Sequence, residues 1–426
     1  MKTFEIIILI ISIFSFITSK NLLNSDNIHS SNEKIISLKT ESNIIKDEIS
    51  DFHTPEQLKY LKDPKPENIN LYAHGDKDLS RPKGNKLDFS KDVADSSSYV
   101  LQYSSSQNFE TEKSKTIKDL KSKIYYLKNL KLNETIYYRG AVNVDELVNS
   151  KIHKLTVSSL PPRNLDIPGL DNARDIGGYK TSLVKGGVIK QGLYYRTARL
   201  TDLKDAGKKI ITKLGIKREI NVNELNFNPN VKGMTYHYIP MANTNDNTRF
   251  DKYNSEYKQI FKLMSEADKY PILLHCHAGA DRTGVMSFAL LALLGVEYKD
   301  IARDYAFTSF GVQGKRYVKG SQLELWMKKL DKYEGKSLAE KCKNWLMKKG
   351  IKENILERIR KIFISGYSRK KNPYFPDNFD SLSIDEKYKI VKKLLRENKI
   401  KLIHLKEYLS PNDYQVIMKK YILDKN

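Results

Sequence analysis

Cysteine is scarce in this sequence: its 426 residues include only Cys276 and Cys342. Two cysteines cannot build the dense disulfide network of small secreted scaffolds, so hydrophobic cores must hold the domains together. The eight histidines are scattered and form no ligand cluster, and we therefore expect neither a metal ion nor a cofactor. A disulfide between the two cysteines stays open here as a regulatory alternative.

Long apolar runs are scarce as well. One opens the chain, from Phe4 to Ile17, after Lys2 and before the small residues Thr18 and Ser19. A charged start, a short apolar stretch and small residues are the pattern of a secretory signal, and this stretch is too short for a comfortable membrane span. We predict a signal peptide over residues 1–19, a secreted or secretory-pathway protein, and no transmembrane span after cleavage. An uncleaved anchor is the alternative.

Acidic residues are in deficit, since 74 Lys+Arg against 51 Asp+Glu give a formal charge of +23. A field of this sign attracts polyanions, including anionic lipid headgroups and phosphorylated substrates. The positive residues are scattered, and neither a zinc-finger spacing nor an aromatic–basic RNA motif occurs. We therefore expect no nucleic-acid partner.

The length predicts two or three folded units. Residues 20–74 are polar and lack periodicity, which indicates a flexible extension with one short helix near Thr54–Leu61. Residues 75–160 carry short strands between polar turns, which predicts a small β-sandwich. Residues 161–366 alternate strands and helices, which predicts an α/β domain with a central, mostly parallel sheet flanked by helices. Residues 367–426 hold two amphipathic stretches and indicate a helical C-terminal tail.

The segment that carries chemistry runs from Pro271 to Val285. An apolar run ending at His275 predicts a buried strand, Cys276 then opens a loop, and Arg282 opens an apolar helix. Five residues between Cys and Arg let the loop curl so that its backbone N–H groups point inward and form an anion nest at a helix N-terminus. The predicted phosphate-binding residues are His277, Ala278, Gly279, Ala280 and Arg282.

These residue types suit attack on phosphorus. The N–H groups, the helix dipole and the guanidinium favour a thiolate at Cys276, and the planar fork of Arg282 can hold two phosphate oxygens. The thiolate would form a phosphocysteine that water hydrolyses, with the Thr283 hydroxyl donating to the departing sulfur. Asp281 or an upstream acid would protonate the leaving oxygen of the substrate. The predicted catalytic residues are therefore Cys276, Asp281, Arg282 and Thr283.

The loop His275–Gly284 resembles the HCxAGKDRTG loop of bacterial secreted dual-specificity tyrosine/phosphoinositide phosphatases. Asp171–Tyr179 resembles the NxRDxGGY segment of that family, and Gln191–Asp202 resembles its GLLYRSxxLxxL segment. The resemblance covers about residues 164–364 and implies a cysteine-phosphatase fold and phosphomonoester hydrolysis without a cofactor. Some members of that family carry a fibronectin type III-like domain ahead of the catalytic domain, and residues 75–160 would correspond to it.

The sequence departs from this family at two places. Ala280 replaces the loop lysine associated with phosphoinositide headgroups, which argues against that specificity. The DLR segment of the family is Asn221–Asn223 here and lacks its acid and its arginine. If that acid assists catalysis in the family, this chain depends on Asp281. Asp246 is a second candidate for the general acid, because related phosphatases carry their acid on a loop at a similar spacing before the cysteine.

Together these features predict a protein tyrosine phosphatase-like phosphomonoesterase acting on phosphotyrosine or other phosphoproteins. Phosphoinositides and soluble inositol phosphates remain alternative substrates, given the charge of +23. Two further hypotheses are a pseudophosphatase that binds phosphate without turnover, because Asn221 replaces an acid, and an adhesion protein whose β-sandwich does the binding. Arg174 and Asp175 are predicted to form a buried structural pair.

Overall fold

A computed structural model describes most of the chain beyond the N-terminal region. The described residues are 45–75, 81–242, 248–311, 314–367, 372–376, 378–379, 382–409 and 411–424. The predicted signal peptide and Asp246 lie outside these ranges.

Among these residues the strands are β1 (Ile45–Ser50), β2 (Asn85–Asp88), β3 (Tyr99–Ser104), β4 (Ser114–Leu120), β5 (Ile124–Leu127), β6 (Thr135–Ala141), β7 (His153–Val157), β8 (Arg163–Asn164), β9 (Arg174–Asp175), β10 (Tyr194–Thr197), β11 (Arg218–Asn221), β12 (Thr235–Tyr238) and β13 (Ile272–His275). The α-helices are α1 (Pro55–Lys62), α2 (Asp205–Lys213), α3 (Thr248–Asp251), α4 (Asn254–Met264), α5 (Arg282–Leu293), α6 (Tyr298–Phe307), α7 (Gln322–Leu330), α8 (Leu338–Lys348), α9 (Glu353–Phe363), α10 (Ile384–Arg396), α11 (Leu405–Tyr408) and α12 (Pro411–Leu423). The predicted mixed α/β class is confirmed.

The first half of the chain forms a five-stranded sheet in the order β1-β7-β6-β3-β4 and a two-stranded sheet of β2 and β5. β1 runs parallel to β7, and the other neighbours are antiparallel. Alternation along β6 turns Ile136 and Tyr138 into a core that also contains Phe89 and Leu155. The likeness to a fibronectin type III domain stays a prediction.

The prediction of a flexible extension over residues 20–74 is wrong for its second part, from residue 45 onward. β1 pairs with β7 through the backbone, with Ser50 opposite Val157. α1 buries Tyr60 and Leu61 in the core of the second half of the chain. An edge strand can be held in a sheet by backbone hydrogen bonds to a single neighbour. The sequence IKDEIS has few apolar side chains, so its pattern does not indicate a strand.

The second half is built on a six-stranded sheet in the order β12-β11-β13-β10-β9-β8. The four strands β12, β11, β13 and β10 are parallel, and β9 and β8 continue the sheet antiparallel. The carboxyl ends of parallel strands share one edge, so Thr197 and Asn221 flank His275 on its two sides. Every residue of α5, which follows β13, is buried.

The described residues near the C-terminus are helical and have a small core of their own. Val391, Leu394, Leu405 and Ile417 are its buried members from α10, α11 and α12. Across the described part of the chain, none of the helices has both the length and the apolar character that crossing a membrane requires.

Candidate active site

The predicted site residues meet at the junction of β13 and α5. The four residues of β13 are buried and place Cys276, which is 2% exposed, at the edge of the sheet. Asp281 is the N-cap residue of α5, and Arg282 and Thr283 open its first turn. The strand–loop–helix predicted from the spacing of cysteine and arginine is therefore present.

The loop is held from outside through its carbonyl oxygens. The side-chain amide of Asn172 donates to the carbonyls of Ala278 and Gly279 at 3.1 and 3.2 Å. Arg196 Nη2 donates to the Gly279 carbonyl at 2.7 Å. The backbone N–H of Arg199 donates to the carbonyl of the next loop residue, at position 277, at 2.9 Å.

The backbone N–H groups of this loop remain unused. Within the described residues, none of the N–H groups of residues 277–281 has a hydrogen-bond acceptor. Carbonyls bound outside and free N–H groups on the same turn are the arrangement of an anion nest. The loop also ends at the positive end of the α5 dipole. An anion is thus the ligand that this turn can accept.

Gly279 is required by the shape of the loop. Its φ of +66° lies in the left-handed region, which disfavours residues with a Cβ. A Cβ at this position would lie 2.4 Å from the carbonyl oxygen of Thr197. The loop can therefore pack against β10 only with glycine here.

A buried charge cluster supports the loop from beneath. Asp304 accepts from Arg174 Nε at 2.8 Å and from Arg196 Nη1 at 2.6 Å, and all three side chains are at most 2% exposed. Burial alone would raise the pKa of Asp304, but the two guanidinium groups hold it below its usual range. Since Arg196 also binds the Gly279 carbonyl, the cluster ties α6 to the loop.

The predicted pair of Arg174 with Asp175 is wrong, although both residues are buried. Arg174 binds Asp304, whereas Asp175 lies 3.1 Å from Arg163 Nη2. Successive side chains of a strand point to opposite faces of the sheet, so two neighbours on β9 cannot pair with each other.

Arg282 is buried beside the loop and points toward the segments that follow β11 and β12. Its side chain is 3% exposed and donates to the Met241 carbonyl at 3.0 Å. Glu224 Oε2 lies 3.7 Å from Arg282 Nη1. No sequence motif marks Glu224, and only the turn after β11 brings it to the site.

Asp281 is bound to Arg316, a residue that no sequence motif marks. Arg316 Nε and Nη2 donate to the two carboxylate oxygens at 3.1 Å each. Burial lowers the pKa of Arg316, but the Asp281 carboxylate outweighs this and raises it overall. Because Arg316 occupies both carboxylate oxygens, the pair must open before Asp281 can contact a substrate oxygen.

Three other predicted residues differ in exposure. Thr283 Oγ1 is buried and has no hydrogen-bond partner among the described residues, which leaves its hydroxyl available. The side chain of His277 is exposed. Partial desolvation lowers the pKa of His277, and the charges of Arg199 and Arg282 lower it further. Ala280 is fully buried and offers only its backbone.

Residues 165–371 match the family model described as the tyrosine phosphatase family. This segment, a little under half of the chain, is thus similar to the tyrosine phosphatase family. A tyrosine-protein phosphatase of Nostoc commune is 35% identical over 60 residues, which are 14% of this chain and 20% of the relative. The chain thus spans about a fifth of that relative's length. The phosphatase predicted from the cysteine loop agrees with both matches.

Solved structures of phosphatases also resemble the chain. TpbA of P. aeruginosa in complex with pTyr is 15% identical and covers 32% of this chain and 83% of its own, with a TM-score of 0.24. The catalytic core of the PP-IP phosphatase SIW14 of S. cerevisiae is 15% identical, and the match covers 37% of this chain and 93% of that structure, with a TM-score of 0.27. The similarity to the tyrosine phosphatase family rests on the match of residues 165–371, because structural similarity at this level carries no argument.

The second cysteine of the chain lies away from the loop. Cys342 is fully buried on α8, and its thiol donates to the Ala289 carbonyl at 3.3 Å. Ala289 lies seven residues beyond Arg282 on α5, which at about 1.5 Å per residue is roughly 10 Å along the axis. The regulatory disulfide with Cys276 therefore does not fit this structure, in which both cysteines are free.

Proposed function

We propose that this protein is a secreted cysteine-dependent phosphomonoesterase of the protein tyrosine phosphatase type, with Cys276 as nucleophile. One observation carries the proposal. The turn between Cys276 and Arg282 has its carbonyls bound from outside and its N–H groups free, beside a buried guanidinium. Such a turn suits a phosphate dianion held beside the Cys276 sulfur.

The proposed reaction uses the groups of this turn in two steps. The Cys276 sulfur attacks phosphorus, a sulfur–phosphorus bond forms, and the bond to the substrate oxygen breaks. The loop N–H groups and Arg282 stabilise the negative charge on the phosphoryl oxygens. Water then attacks phosphorus and gives its proton to the Asp281 carboxylate, while the sulfur–phosphorus bond breaks and orthophosphate leaves. The Thr283 hydroxyl donates a hydrogen bond to the departing thiolate.

The proton for the leaving oxygen comes from Asp281 in this proposal. Its carboxyl lies at the mouth of the loop and is partly exposed, with 28% of the side chain accessible. Arg316 must release Asp281 for this role, and a phosphate dianion is a partner that could draw the guanidinium away. Asp246 stays the second candidate and lies outside the described residues.

Phosphotyrosine or another phosphoprotein side chain is the proposed substrate. Ala280 is fully buried and adds no charge to the loop, so the loop lacks the cation that would favour a phosphoinositide headgroup. Secretion after removal of residues 1–19 is part of the proposal and rests on the sequence alone. N-terminal sequencing of protein recovered from the culture medium tests it.

Hydrolysis of para-nitrophenyl phosphate with EDTA and a reductant tests the activity. The wild type should turn over, Cys276→Ser should lose turnover, and Cys342→Ala should keep it because that thiol lies in the core behind α5. Circular dichroism establishes that each variant is folded. Inactive wild-type protein, when folded and reduced, would instead indicate a phosphate-binding pseudophosphatase.

A further inference from the structure

A groove with a concentration of positive charge lies between the first sheet and the phosphatase domain. Its cavity volume is about 670 Å³, within the usual size range of ligand sites. One wall is formed by β4 and the turn between β5 and β6, and the other by β10 and α2. The lining cations are Lys113, Lys115, Lys128, Lys131, Arg163 and Lys213, against the single acid Glu134.

The groove is separate from the active site. It reaches Gly192 and Tyr195, at the beginning of β10, whereas Cys276 follows the end of β13. Since β10 and β13 are parallel, these are opposite ends of the sheet. None of the residues of the cysteine loop lines the groove.

Three of the six cations are compensated by acids of the fold. Lys113 pairs with Glu110, Lys128 with Asp166, and Arg163 with Asp175.

The other three, Lys115, Lys131 and Lys213, are exposed, and none of them forms an ion pair with any described residue. Arg163 adds a second signal. It is 2% exposed, and its Nε, also buried, has no hydrogen-bond partner in the described part of the chain. A buried donor without a partner is costly unless a ligand or water satisfies it.

The turn that forms one wall is fixed before any ligand arrives. The side chain of Asn129 donates to the Asp166 carbonyl at 3.0 Å and accepts from the Asp166 N–H at 2.8 Å. Gln191 makes a matching pair with the backbone of Leu132, at 2.8 and 3.1 Å. A preformed wall lowers the entropy lost on binding.

We propose that this groove binds an acidic segment of a polypeptide. The cations fit carboxylate or phosphate groups, and the apolar lining fits the side chains between them. That lining includes Tyr103, Tyr125, Tyr126, Leu130, Ile210 and Leu214. A bilayer surface is flat and cannot reach lysines across a concave groove, so a lipid surface fits less well. The proposal does not depend on catalysis, because binding can be measured without turnover.

Fluorescence anisotropy of a labelled peptide tests the inference. The probe is a decapeptide of eight glutamates and two leucines, compared with the same peptide carrying glutamine in place of glutamate. The test variant is the triple Lys115→Glu, Lys131→Glu, Lys213→Glu. The control is the triple Lys91→Glu, Lys232→Glu, Lys348→Glu, which alters net charge equally at exposed lysines outside the groove.

We expect the acidic peptide to bind the wild type and the control triple equally, and the groove triple at least tenfold more weakly. Each exposed charge pair contributes a factor of about two, and reversal replaces attraction by repulsion. The glutamine peptide should not bind. Equal weakening by the two triples would overturn the proposal, since net charge alone would then explain it. Binding of anionic vesicles that depends on the groove lysines, without peptide binding, would also overturn it.

Discussion

The charge cluster beneath the cysteine loop allows a sharp test with the single substitution Asp304→Asn. The Asp304 carboxylate accepts hydrogen bonds from both Arg174 and Arg196, and Arg196 also donates to the Gly279 carbonyl. The amide has nearly the same shape as the carboxylate but no charge. Two guanidinium groups, each 1% exposed, would then remain buried without a counter-ion.

The expected cost is large. Removing one partner of a buried ion pair costs about 3–5 kcal/mol, because the remaining charge is left uncompensated. A typical domain has about 5–15 kcal/mol of stability, so the variant should fold but with a strongly reduced free energy of unfolding. The turnover number should also fall, since Arg196 loses the carboxylate that positions it against the loop.

Urea unfolding at pH 7 measures this effect, and Asp300→Asn is the matched control. Asp300 lies on the same helix and pairs with Arg303 at 3.6 Å, with 33% of its side chain exposed. A pair of that kind contributes about 0–1 kcal/mol. If Asp304→Asn costs no more than Asp300→Asn, the argument that the buried cluster supports the loop is refuted.

The pH dependence of the unfolding free energy independently tests whether the negative charge of Asp304 stabilises the fold. In the folded protein the pKa of Asp304 lies below its usual value. Its contribution to the free energy of unfolding is therefore fully present above about pH 4, the ordinary pKa of an aspartate in the unfolded chain. The contribution is lost as the pH falls through the folded pKa. The stability difference between the wild type and Asp304→Asn should therefore narrow below about pH 4, and a constant difference down to pH 2 would contradict this assignment.

Three further predictions concern the loop and its surroundings. Gly279→Ala should abolish turnover and weaken the binding of orthophosphate, which calorimetry measures. The control is Gly233→Ala: Gly233 also has a positive φ, but nothing lies within 4 Å of the position of a Cβ, so this variant should lose stability alone. Asp281→Asn should slow hydrolysis of phenyl phosphate about a hundredfold and that of para-nitrophenyl phosphate far less, because the better leaving group needs no proton; equal slowing would remove Asp281 as the general acid. Iodoacetamide should modify Cys276 and spare Cys342 in the folded protein, because burial raises the pKa of Cys342 well above its usual range. Mass spectrometry after mild oxidation should find no disulfide between the two cysteines.

The sequence predicted those parts of the site that are contiguous in the chain. The apolar run of β13, Cys276, Gly279 and Arg282 follow one another, so strand, loop and helix could be derived from their order. The contacts that hold the loop come from distant segments: Asn172, Arg196 and Arg316 reach it only through the folded sheet and helices. Spacing along the chain contains no signal for such contacts.

The N-terminal boundary was missed for a related reason. β1 is held by backbone pairing with β7, more than a hundred residues later, and its side chains are mostly polar. Periodicity detects elements that bury one face, and an apolar run detects elements that are buried all round, such as β13 and α5. An edge strand added to a sheet by its backbone leaves no comparable pattern.

Trapping of the phosphoenzyme tests the central claim most directly. The protein is mixed with an aryl phosphate labelled with ³²P, quenched in acid within milliseconds, digested and sequenced by mass spectrometry. The account predicts label on the peptide that contains Cys276, stable in acid, absent in Cys276→Ser and unaffected by EDTA. Turnover without labelled cysteine, or label that persists in Cys276→Ser, would contradict it.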